Sequence, residues 1–133
     1  MEFVYDDGGR SNYYKAFGVG DCVCRAISIA SKSDYKEIYK LLKEYGNGES
    51  PRNGVYKEVY TKLLKDMGWT WIPCCGKGVI NNRVRLRAED LPMGRIICRV
   101  SKHLTCVIDG VLYDTYDCSR NETRKVYGYW IKK

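Results

Sequence analysis

The chain is short of the groups that most polar chemistry draws on: it has one histidine, His103, and no glutamine. Imidazole chemistry near neutral pH is therefore confined to a single position. No stretch approaches the roughly 18 consecutive apolar residues that a membrane-spanning helix needs, so no membrane is expected among its partners. The opening residues, MEFVYDDGGR, are acidic and lack the apolar run of a secretory leader. No Cys-x-x-Cys pair occurs, which removes the usual spacing of a zinc centre, and no metal or cofactor is called for. Repeats and low-complexity segments are absent too. One domain over residues 1–133 is the expectation, with residues 1–19 as an irregular arm.

What is present is mostly basic and aromatic. The net charge of +7 favours anionic partners or substrates. The charges are dispersed, however. The densest group, Arg83, Arg85 and Arg87, alternates with Val84 and Leu86 as one solvated strand face would. A nucleic-acid interface is not expected. Twelve tyrosines should pack their rings and keep their hydroxyls wet, and Trp69, Trp71 and Trp130 suit the core or its rim. Seven cysteines are an odd number, so at least one thiol lies outside any intramolecular disulfide scheme. Free thiols in a reducing cytoplasm are the simplest reading.

Residues 22–30, CVCRAISIA, predict a buried helix after a Gly-rich turn. Ser33-Asp34 predicts an N-cap for a second helix with Ile38, Leu41, Leu42 and Tyr45 at helical spacing, stopped by Gly46. Asn53 predicts the cap of a third helix, whose Val55, Val59, Leu63, Leu64 and Met67 mark one face before Gly68. The period then changes to two. Strands are expected at residues 69–72, ended by Pro73, and at 95–100, 103–108, 111–115 and 125–131. Asp109-Gly110 is a favoured two-residue hairpin turn. Helices first and an antiparallel sheet of four or five strands afterwards make an α+β fold.

Cys22 follows Gly20-Asp21 at the head of the first helix, where unsatisfied N–H groups and the helix dipole favour a thiolate. His103 opens a later strand and could serve as its base. If Ile108 pairs with Val111, facing residues sum to about 219, and Asp114 falls beside His103 to orient the ring. Asp114 is the choice for this role and Asp117 the reserve. Cys24, about 200° around the helix from Cys22, is expected in the core. A zinc group of Cys74 and Cys75 with Cys118 or His103 is weighed and set aside. Arg25, costly to bury alone, needs an acid such as Asp21 or Asp117, or an anionic substrate group.

In order and setting, these residues resemble the papain-like cysteine peptidase superfamily, especially its small bacterial and phage branches. GDCVCRAISIA is similar to the Asp-Cys helix start of bacterial cell-wall endopeptidases. It looks closer to phage proteins with an Asp-Cys-x-x-Arg-Ala helix, a Gly-His or Lys-His strand and an Asp-Gly-x-x-x-Asp-Thr hairpin, a pattern that KHLTCVIDGVLYDTYDCS fits. The resemblance covers roughly residues 20–45 and 94–130. It implies a papain-like core with Cys22 as nucleophile, His103 as base and Asp114 as orienting acid. The activity implied is hydrolysis of a peptide or amide bond in a peptide or protein substrate. Papain places a glutamine before its nucleophile to complete the oxyanion hole. Here Asn12, or backbone N–H groups of Gly18-Val19-Gly20 and of Cys22, would substitute. Two other functions fit the residues: a non-catalytic phage protein that engages a host protein in the host cytoplasm, and a basic nucleic-acid binder.

Overall fold

The computed structural model describes residues 1–15, 20–79 and 82–132. It is α+β, with three helices and a six-stranded mixed sheet. The elements are β1 (Phe3–Tyr5), α1 (Cys22–Ser31), α2 (Tyr35–Tyr45), α3 (Lys57–Asp66), β2 (Trp69–Pro73), β3 (Arg95–Val100), β4 (His103–Ile108), β5 (Val111–Asp114) and β6 (Gly128–Lys132). Their order across the sheet is β1-β5-β4-β3-β6-β2. Among the described residues no helix is long and apolar enough to cross a membrane.

The three helices fall where apolar spacing places them, but their caps differ from expectation. Asp34 precedes α2 without making a side-chain cap bond; its carboxylate accepts the Tyr13 hydroxyl at 2.7 Å instead. Tyr56, not Asn53, precedes α3, and Asn53 is drawn into a backbone bridge with Gly20. Tertiary partners thus outbid the local capping bonds at both sites.

The β4–β5 hairpin has the anticipated register, with Cys106 facing Tyr113, Val107 facing Leu112 and Ile108 facing Val111. The sheet is larger than four or five strands and is not wholly antiparallel, because the N-terminal arm supplies β1. This strand pairs in parallel with β5, placing Tyr5 beside Asp114. Its three-residue length leaves no alternation to read in the sequence. After it, Gly8 and Gly9 turn with positive φ, and Gly8 lies so close to the Arg25 backbone that a Cβ would meet its carbonyl oxygen at 3.0 Å. Residues 1–15 are therefore an integral edge of the fold.

Apolar side chains divide between the two faces of the sheet with strand alternation. Ile97, Leu104, Cys106 and Trp130 pack with Val23, Ile27, Ile38, Leu63 and Leu64 from the helices. Ile96, Cys98, Val107 and Leu112 face the other way, against Val84, Leu86, Leu91, Cys118 and Val126 from the long connections. Val84 and Leu86 are buried between the more exposed Arg83, Arg85 and Arg87, as their alternation suggested. Within β6, Gly128 has no room for a side chain, since the Trp71 ring would lie 2.2 Å from a Cβ there.

Candidate functional site

Two adjacent elements carry the site: the start of α1 and the start of β4. Asp21 precedes α1, yet its carboxylate makes no cap bond. It is fully buried and collects three donors: the Arg25 guanidinium, the Tyr35 hydroxyl at 2.7 Å and the Arg10 guanidinium at 3.4 Å. With Asp21 turned inward, the first N–H groups of α1 are left without its side chain as acceptor. Tyr35 therefore departs from the expectation of wet hydroxyls. Arg25 also reaches Asp114 Oδ1 at 3.6 Å. Of the two acids anticipated for it, Asp21 is the partner and Asp117 is not.

In β4, His103 and Thr105 are two residues apart and so share a side of the strand. Both donate to Asp114 Oδ2, each at 2.7 Å. Asp114 Oδ1 accepts the Thr115 backbone N–H at 2.7 Å. Asp117, the reserve third member, instead accepts the backbone N–H and hydroxyl of Ser119 at 3.0 and 2.7 Å. It sits in the loop after β5 and serves that loop. Asp114 is the acid behind the imidazole.

His103 commits Nε2 to Asp114, and Cys22 and His103 line the same cleft. Burial opposes charge on both groups and is the largest single influence on each. For His103 it is outweighed by hydrogen bonds to Asp114, Cys118 and Cys22, which push its pKa up to about 12. For Cys22 it is outweighed by the His103 hydrogen bond and charge, the Leu104 backbone N–H and the Arg25 charge, so its pKa falls below the ordinary thiol value. Burial, followed by His103, also governs Asp114; the hydrogen bonds and charge of its partners hold that carboxyl below its usual range. At pH values between the lowered pKa of Cys22 and the raised pKa of His103, the pair is a thiolate beside an imidazolium.

Cys24 makes the contrast. It is completely buried, its thiol donates to the Tyr35 carbonyl at 3.6 Å, and burial pushes its pKa up to about 12. Two cysteines two residues apart are thus displaced in opposite directions.

The oxyanion candidates separate. Gly20 and Cys22 border the cleft over the thiol. Asn12 does not line it: the turn at Arg10–Asn12 buries Arg10 against Asp21 and leaves Asn12 exposed, its amide near Gly9. Gly18 and Val19 lie outside the described residues.

Cys74 is buried and Cys75 half-buried in their loop, and among the described residues they do not group with His103. The grouping that does form is His103, Asp114 and Cys118, whose ligand-type atoms lie within 4.8 Å of one another. The Cys118 thiol donates toward Asp114 Oδ2 at 3.7 Å. Because that oxygen already accepts from His103 and Thr105, these contacts form a proton-bearing network. A metal ion would have to displace its hydrogen bonds.

The cleft, of about 320 Å³, is lined by Gly20, Cys22, Gly54, Val55, Tyr60 and His103 together with Lys57, Arg99 and Lys102. Sequence reasoning missed Thr105, Tyr60 and the cations. Thr105 had a readable signal, since the 219 sum pairs it with Asp114. Tyr60 and Arg99 had none, because α3 and β3 meet here only through the fold. Comparison with family models, with curated proteins and with solved structures finds no match.

Proposed function

We propose that this chain is a thiol hydrolase, papain-like in arrangement, that cleaves a peptide or amide bond through an acyl-enzyme on Cys22. The observation that carries the reading is the Asp114–His103 hydrogen bond in the cleft that Cys22 also lines at the head of α1, with Cys22 shifted toward thiolate while Cys24 is shifted away. The thiolate attacks the carbonyl carbon, and N–H groups at the start of α1 stabilise the oxyanion. The C–N bond then breaks as the departing nitrogen takes a proton from the His103 imidazolium. Water adds to the resulting thioester and gives a proton to the now neutral His103. The C–S bond breaks, releasing the acid and restoring the thiolate–imidazolium pair. Asp114 holds the ring and its charge throughout.

The adjoining hollow over Glu49, Ser50, Asn53 and Tyr56 shares Gly54 and Val55 with the cleft. An extended peptide can therefore lie across both, which favours a peptide over a compact amide as substrate. The test is covalent labelling. Iodoacetamide or a vinyl sulfone at low dose and neutral pH should modify Cys22 ahead of the other thiols, and Cys22→Ala should abolish that modification. Equal labelling of parent and variant sinks the proposal. Retained biological activity in Cys22→Ala would favour the non-catalytic binding protein.

A further inference from the structure

The cleft over Cys22 is electrostatically one-sided. Among the described residues that line it are three cations, Lys57 from α3, Arg99 from β3 and Lys102 from the β3–β4 turn, and no acid. Among the described residues none of the three is held in an ion pair with a carboxylate. Elsewhere the buried arginines of α1 and the arm are neutralised by Asp21. Arg99 is half-buried, where an uncompensated charge is less well hydrated, and its guanidinium lies 5.8 Å over the Tyr127 ring. Lys102 occupies a left-handed backbone position, φ +57°, in a turn where glycine is the low-strain choice. A cation thus stands beside His103 at a local conformational cost.

We propose that Lys57, Arg99 and Lys102 form an anion subsite that selects peptide substrates with a carboxylate next to the bond Cys22 attacks. The subsite rests on the thiol-hydrolase reading for its purpose, and its charge can be probed separately. A carboxylate in the cleft meets the half-buried Arg99, where opposite charges attract more strongly than in bulk water, and the exposed Lys57 and Lys102. Salt should weaken the preference, because Lys57 and Lys102 are exposed.

The test compares alkylation of Cys22 by iodoacetate and iodoacetamide, which form the same S–C bond and expel the same iodide but differ in charge. The iodoacetate-to-iodoacetamide rate ratio should fall at least about five-fold in Lys57→Met and in Lys102→Gly. The second change relieves the strained turn, so misfolding would not explain its effect. Lys40→Met removes the same charge from the exposed face of α2 and should leave the ratio unchanged. A ratio unaltered in both cleft variants, or lowered equally by Lys40→Met, overturns the subsite.

Binding to the Cys22→Ala chain supplies a readout that does not need a reactive thiol. Fluorescence anisotropy would compare three labelled peptides: one with an internal glutamate and an amidated end, its glutamine counterpart, and the glutamine peptide with a free terminal carboxylate. Tighter binding of either carboxylate peptide, lost in Lys102→Gly, supports the subsite and identifies which carboxylate it takes. Equal binding of all three overturns it. Slow, unselective alkylation of Cys22 by both reagents, with carboxylate binding intact, would overturn the hydrolase reading alone.

Discussion

His103 draws its meaning from its two neighbours, Asp114 and Cys22. Asp114 at 2.7 Å favours the protonated ring, and the protonated ring favours the Cys22 thiolate. The reactive pair exists above the lowered pKa of Cys22 and below the raised pKa of His103. Alkylation should therefore rise through an acid limb below the usual thiol range and then hold, whereas turnover, which also needs the imidazolium proton, should rise through the same limb, hold a plateau, and fall at high pH. Asp114→Asn keeps the shape and removes the charge. Its imidazolium should be lost at lower pH, narrowing the plateau from the alkaline side, with kcat/KM reduced about 10²–10⁴-fold. A pH–rate profile of both chains measures this, and an unmoved alkaline limb would argue against the relay.

The strands and helices hold these groups in place through packing that leaves little slack. Gly128 in β6 lies under the Trp71 indole, and the Trp71 and Trp130 rings approach to 4.4 Å between centroids. A methyl group at position 128 must push Trp71 aside or separate β6 from β2. Gly128→Ala should lower stability by about 1–3 kcal/mol, the usual range for overpacking. The urea midpoint would report it. Because β6 also pairs with β3 through Ile97 and Trp130, the loss should appear in one cooperative transition with the rest of the sheet. A separate early transition would mean that β2 and β6 open independently.

Across the whole molecule, Asp21 joins three parts of the chain that local structure would leave apart. It receives Arg10 from the arm, Arg25 from α1 and Tyr35 from α2, and Arg25 passes the connection to Asp114. Asp21→Asn retains the outline but leaves two buried arginines without their shared counter-charge. We expect a loss of about 3–5 kcal/mol, the range for breaking a buried pair from one side. Denaturation would measure that loss, and the Cys22 alkylation rate in the folded variant would show how far the network also supports the site. A change below about 1 kcal/mol would mean that water or rearrangement neutralises the arginines, contrary to the packing seen here.

The sequence alone determined the helices, the β4–β5 hairpin and its register, because each is encoded by neighbours: apolar spacing of 3.6 or 2 and the Asp109-Gly110 turn. Since register dictates which side chains face one another, Asp114 beside His103 was legible as well. What the tertiary structure decided lies where distant segments compete for the same polar groups. Asp34 and Asn53 read as caps, yet Tyr13 and Gly20 claim them. Asn12 read as an oxyanion donor, yet its turn buries Arg10 instead. The parallel strand β1 is too short to announce itself, and the cationic cleft gathers residues from α3, β3 and a turn that share no pattern. Periodicity records local geometry; only the closed fold settles which long-range partner a buried charge or a backbone edge finds.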